Sequence, residues 1–193
     1  MNSDLSWRTV DIVVTAAIAV AFGVVYWAWG LVYSAVGPAF AFFPPAQNLI
    51  DGVWLIAGVL AALVVRKPGA ALFAELVAAS IEALLGGQWG LDTLASGAIQ
   101  GLGAEIVFAI ARYRVWDMRT AVLAAVVSAI GGWIHDVFVY YATLALTDQI
   151  VLLVIYVISA AILGGLVSWW LYLAIAQSGV LAQFSSGRVQ RRV

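Results

Sequence analysis

The chain has 193 residues, of which 65% are hydrophobic and 10% charged, with a mean hydropathy of +1.05 and a formal net charge of −1. Such values exclude a soluble globular domain and mark an integral membrane protein. With no cysteine, disulfides, thiolate metal sites and thiol nucleophiles are ruled out, and a single histidine argues against a protein-built transition-metal site.

Polar or Gly/Pro-rich breaks divide the chain into six apolar segments, at about 9–36, 50–65, 68–87, 92–111, 118–146 and 149–177. Each is near or above the ~20 residues that cross a bilayer as a helix, and far longer than the ~10 of a membrane strand. The expected architecture is an all-α integral membrane protein, a six-transmembrane-helix bundle forming a single transmembrane domain over 1–193. The first segment reads as a span rather than a signal peptide, because its apolar run is long and carries Asp11 near its start. Arg8, Arg66, Lys67, Arg112, Arg114, Arg119, Arg188, Arg191 and Arg192 all fall on one side of such a bundle. The positive-inside rule therefore places both termini in the cytoplasm of a multi-pass bacterial plasma-membrane protein. Nothing in the pattern calls for a nucleic-acid partner.

Segment 1 carries two stripes. Ala17, Ala21, Val24 and Ala28 form a small-residue face that lets another helix approach closely, while Phe22, Tyr26, Trp29 and Tyr33 form an aromatic face. The Gly37–Asn48 stretch holds three prolines, so it is not helical throughout and is expected to fold over the outer mouth. Segment 2, from near Asp51, reads as a plain spanning helix, and Pro68 suits the first position of segment 3. There Glu75 and Glu82 share a face that continues to Trp89. Segment 4 supplies Gln100 in its outer half and Glu105 further in, with Gly97 and Gly101 spaced for close packing. Segment 5 holds Ser128, Gly132, Asp136, Tyr140 and Thr143 on one polar stripe with His135 at its flank, and segment 6 adds Tyr156 and Ser159.

Apart from His135, every ionisable group inside a span is acidic: Glu75, Glu82, Glu105 and Asp136, with Asp11, Asp51 and Asp92 at the margins. Ionisable groups at membrane depth are costly unless paired or facing a cavity, so carboxylates without a buried Lys or Arg are protonated or await a cation. Depth places Glu82, Asp136, His135, Gln100, Trp29, Tyr33, Trp89, Tyr140 and Tyr156 together in the outer half, a set suited to holding a flat organic cation by charge and cation–π contact. Glu75 and Glu105 are expected deeper. No cofactor is called for. An enzyme is not expected: His135 and Asp136 point about 100° apart on a helix, and no G-x-S-x-G, H-E-x-x-H or Gly-x-x-x-x-Gly-Lys pattern occurs. A stand-alone proton-coupled carrier or channel for a small organic cation is the alternative reading.

Six short-looped segments, Ala17-Ile-Ala-Val-Ala21 in the first, and an acidic, aromatic outer half resemble the S components of energy-coupling factor (ECF) transporters. The Trp7-Arg-Thr-Val-Asp11 start, the Phe42-Phe-Pro-Pro-Ala46 loop with Asp51-Gly52, and Gly86-Gly-Gln-Trp-Gly90 resemble the YkoE family in particular, which is linked to thiamin and its hydroxymethylpyrimidine precursor. The resemblance implies a subunit of an ATP-driven importer that captures the vitamin outside and works with a transmembrane coupling subunit and two ABC ATPase subunits. Ala17 and Ala21 match the family's Ala-xxx-Ala docking motif. Thiamin, with a cationic thiazolium and an aminopyrimidine that a carboxylate can pair with, suits the acids and rings present; the neutral precursor needs fewer of them.

Overall fold

A computed structural model describes residues 5–179 and 181, and among these there is no strand. The tail that carries Arg188, Arg191 and Arg192 lies outside the described residues. The helices are α1 (Thr9–Val36), α2 (Ile56–Val65), α3 (Ala70–Leu84), α4 (Asp92–Ile110), α5 (Met118–Val139), α6 (Leu146–Ser159) and α7 (Val167–Gln177). Two 3₁₀ pieces, Gly37–Phe40 and Pro44–Leu55, join α1 to α2, and a π-helical stretch, Ala160–Leu166, makes α6 and α7 one continuous rod.

Every residue of α2 is buried, so the other helices are arranged around it. Hydrophobic burial cannot drive that arrangement in lipid; small residues that admit close backbone contact can. A Cβ added to Gly101 would lie 2.8 Å from Leu72 Cα, one on Gly103 2.6 Å from Ser128 Cα, and one on Gly165 2.6 Å from Val122 Cα. These contacts lock α4 between α3 and α5, and the π segment against α5. The outward faces are apolar: Val13, Val20 and Leu31 on α1, Leu123, Ile130 and Phe138 on α5, and Val154, Ile158 and Ile162 on the α6 rod are all exposed. Among the described residues, five helical stretches are long and apolar enough to cross a membrane, and the chain is a multi-pass membrane protein. At 15 residues, α3 is shorter than the bilayer core, but none of its residues before Leu84 is exposed, so protein rather than lipid covers it.

Segment 2 is not the plain helix expected. Pro44 and Pro45 remove two backbone donors, and the chain winds as 3₁₀ until Leu55 before α2 begins. Neighbours satisfy and pin this tighter winding: Trp29 Nε1 donates to Ile50 O (3.0 Å), Gln47 Nε2 to Tyr33 O (2.8 Å), Gly52 N to Ser159 Oγ (2.9 Å), and Ser159 Oγ to Leu49 O (2.7 Å). Pro68 lies in the turn before α3 rather than in its first position, and the N-terminal amides of that helix are satisfied by Glu105, which accepts from Gly69 N (2.6 Å) and Ala71 N (3.1 Å) and from the Tyr113 hydroxyl (2.8 Å). At the same end of the bundle Asp117 caps α5 by accepting from Thr120 N (2.8 Å), and the Thr120 N–H and hydroxyl hold its carboxyl below the usual carboxylate value.

Candidate functional site

At the opposite end, the two-sided burial of α3 and the 3₁₀ approach to α2 leave a cavity of about 290 Å³. Its base is built on the start of α2, where the first backbone N–H groups have no helical partner. Ala57 N donates to the Tyr26 hydroxyl (2.8 Å) and Gly58 N to Glu75 Oε1 (2.8 Å), while Tyr26 in turn donates to Glu75 (3.2 Å). One wall is aromatic. The rings of Tyr33, Trp54 and Trp89 meet edge to face with centroids 5.2–5.6 Å apart, and Trp54 Nε1 donates to Glu82 Oε1 (3.2 Å). The facing wall is polar: Thr93, Ser96 and Gln100 come from α4 and Tyr156 from α6, with Gln100 Nε2 donating to the Tyr156 hydroxyl (3.3 Å). Gly132 of α5 packs against that hydroxyl, and Ser128 Oγ fixes the strip by donating to Gln100 O (2.7 Å).

At the mouth, Asp92, Asp136, Tyr140 and Tyr141 complete the lining. There Tyr140 donates to Asp92 Oδ2. Asp51, Glu75, Glu82, Asp92 and Asp136 all line the same space, and among the described residues no Lys or Arg does. Two polar atoms of the lining are buried without a hydrogen-bond partner, Asp51 Oδ1 and Thr93 Oγ1. Buried polar atoms are nearly always satisfied, so a pair left open inside a cavity sets this space apart from the rest of the interior.

Of the residues singled out in the sequence, Glu82, Asp136, Tyr33, Trp89, Gln100, Tyr140 and Tyr156 line this cavity. Trp29 stands behind it, its indole holding the 3₁₀ segment. His135 is set back too, bridging Asp136 (2.9 Å) and Asp92 (3.2 Å). Its contact with Asp136 differs from the expectation that neighbours on a helix point apart; the ring turns toward Asp92 on α4, which brings Nδ1 onto the adjacent carboxylate. Glu75 is at the cavity's base rather than below it, whereas Glu105 serves the far end of α3. Asp51, Trp54 and Asp92 enter the lining as well; Asp51 and Asp92 stood at segment margins, where an acid signals little. Ala17 and Ala21 are exposed on the face of α1 opposite its buried stripe of Thr15, Ala19, Gly23 and Tyr26.

The chain's relatives are components of transporters. Residues 10–131 match the family model described as the ABC-type cobalt transport system, permease component. A Bacillus subtilis (strain 168) protein named as an HMP/thiamine permease protein, YkoE, is 38% identical over 186 residues, covering 95% of this chain and 92% of that one. A crystal structure described as an S-component of an ECF transporter superimposes with a TM-score of 0.92 at 36% identity, covering 97% of this chain and 94% of its own. With this fold, this coverage and this identity, the chain belongs to the YkoE family of ECF-transporter S components.

Proposed function

We propose that the protein is the substrate-binding subunit of an ECF-type importer and captures thiamin, or its hydroxymethylpyrimidine precursor, from outside the cell. The observation that carries this reading is the cavity: several carboxylates and an aromatic wall around a space with no lysine or arginine from the described residues in its lining, in which Asp51 Oδ1 has no partner. Its size lies close to the lower end of the ~300–1,000 Å³ typical of small-molecule sites. A thiazolium gains from carboxylates and ring faces in a site sheltered from water, and an aminopyrimidine N–H suits an open carboxylate oxygen. The ligand contacts are assigned to Asp51, Glu82, Trp89, Gln100, Tyr33 and Tyr156, with Asp136 and Tyr140 at the mouth. The name of the B. subtilis relative supports the same ligand class.

Uptake then requires partners. In this reading Ala17 and Ala21 seat a transmembrane coupling subunit, two ABC ATPase subunits drive the cycle, and the basic end of the bundle faces the cytoplasm. Thiamin is expected to raise the melting temperature of the purified protein and quench its tryptophan fluorescence; at a concentration of 100 Kd, mass action adds about 2.7 kcal/mol. No response to saturating thiamin or to the pyrimidine, alongside a response to another vitamin, would overturn the ligand assignment.

A further inference from the structure

The first turn of α4 and the end of α5 meet at the cavity mouth, and the only histidine of the sequence sits between them. Its side chain is 8% exposed, with Nδ1 2.9 Å from Asp136 Oδ1 and Nε2 3.2 Å from Asp92 Oδ1. A neutral imidazole has one N–H donor and one bare acceptor nitrogen, whereas an ionised carboxylate only accepts. A neutral ring here would therefore set lone pair against lone pair at one of its two contacts. An imidazolium satisfies both. A protonated carboxyl could also fill the second contact, but free imidazole holds its proton more firmly than a carboxylate by about 2.6 pKa units.

The surroundings favour the same arrangement. Asp92 begins α4, where the helix dipole stabilises an anion, and His135 lies near the C-terminal end of α5, where it stabilises a cation. The groups facing this cluster are Asp51 from the 3₁₀ segment, Tyr33 from α1, Tyr156 from α6, and Tyr140 and Tyr141 just beyond α5. All are acids or phenols, so among the described residues His135 is the local source of positive charge.

We propose that His135 is held as an imidazolium between Asp92 and Asp136, a positioning residue that ties α4 to α5 and neutralises part of the mouth, leaving Asp51 and Glu82 to meet a cationic ligand. The second half of this proposal rests on the thiamin reading; the first does not. Without His135, Asp92 and Asp136 would face one another with no cation between them, and their mutual repulsion favours uptake of a proton by one of them. A cationic ligand entering that site would have to displace it.

Because the chain has one histidine, the protein purified without a histidine tag and labelled with ¹⁵N-histidine gives a single imidazole spectrum in NMR. At pH 7.5 a free imidazole would be about nine-tenths neutral. The expected result is two protonated ring nitrogens; a neutral ring at that pH overturns the proposal, whatever the ligand. In parallel, thiamin affinity is measured for wild type and His135→Gln between pH 6 and 8, as the ratio of the two Kd values at each pH, which cancels any titration of thiamin itself. The variant is expected to tighten relative to wild type as pH rises, by up to tenfold per pH unit for one displaced proton. A ratio constant with pH would overturn the positioning role. If wild-type protein bound no thiamin, the functional reading alone would fall and the NMR experiment would still decide the state of His135.

Discussion

Replacing Asp51 by asparagine separates what the cavity does for a ligand from what it does for the fold. One carboxylate oxygen of Asp51 is buried without a partner, and the neighbouring acid that acts on it, Asp136, repels it. In the empty protein this carboxyl contributes little to stability, because neither a hydrogen bond nor an opposite charge offsets its desolvation. The amide has nearly the same shape but no charge, so the variant is expected to melt at the same temperature as the wild type or up to several degrees higher, at about 2–4 °C per kcal/mol for a chain of this size. Binding should move the other way. Removing one member of a buried, hydrogen-bonded charge pair costs about 2 kcal/mol or more, hence roughly thirtyfold or more in Kd. Titration calorimetry with thiamin in detergent measures the second quantity and a thermal ramp on tryptophan fluorescence the first. A Kd within threefold of wild type would show that Asp51 does not meet the ligand. A marked fall in melting temperature would show instead that its carboxyl is structurally engaged, against the geometry described above.

Three further outcomes are expected. Ala17→Phe or Ala21→Phe should leave thiamin affinity within twofold while abolishing uptake by cells that carry the full importer, because both residues are exposed on α1 and turned away from the cavity; equal loss of binding and uptake would place this face inside the bundle's own packing. Glu105→Ala should lower stability by about 1–3 kcal/mol, since it strips the partners of Gly69 N, Ala71 N and the Tyr113 hydroxyl, yet leave the Kd for thiamin near the wild-type value in calorimetry. Trp89→Leu should weaken thiamin more than the neutral hydroxymethylpyrimidine in paired titrations, because the ring face favours a cation by about 0.5–2 kcal/mol; equal effects on both would assign Trp89 to shape alone.

The helical membrane fold could be read from hydropathy because length and apolarity act over whole segments and do not depend on detail. The winding inside those segments could not. Pro44 and Pro45 announce a break, but contacts with Trp29, Tyr33 and Ser159, which are remote in sequence, hold the following backbone as 3₁₀ to Leu55. Likewise Gly164 and Gly165 signal close packing, while the π-helical winding around them gives no periodicity of its own. The cavity shows the same division. Glu82 and Asp136 stood out because each is an acid well inside an apolar run, where the cost of burial singles it out. Asp51 and Asp92 sit at the ends of their runs, where water usually solvates such groups, and only the tertiary structure turns them inward.

Depth alone was also too coarse to sort Glu75 from Glu105. Both lie well inside their segments, and both accept hydrogen bonds from backbone amides at the start of a helix: Glu75 from Gly58 in α2, and Glu105 from Gly69 and Ala71 at α3. Each satisfies donors that a helix must leave open. What differs is where those helices begin. The long 3₁₀ approach delays the start of α2 until Ile56, partway along its span, so its first amides open toward the cavity, whereas α3 starts at the basic end. The same winding aims Asp51 and Trp54 into the lining. The Pro44–Leu55 segment thus sets the depth of the cavity as well as one of its walls, and the hydrogen bonds that hold it to α1 and to Ser159 connect cavity shape to the packing of the α6–α7 rod.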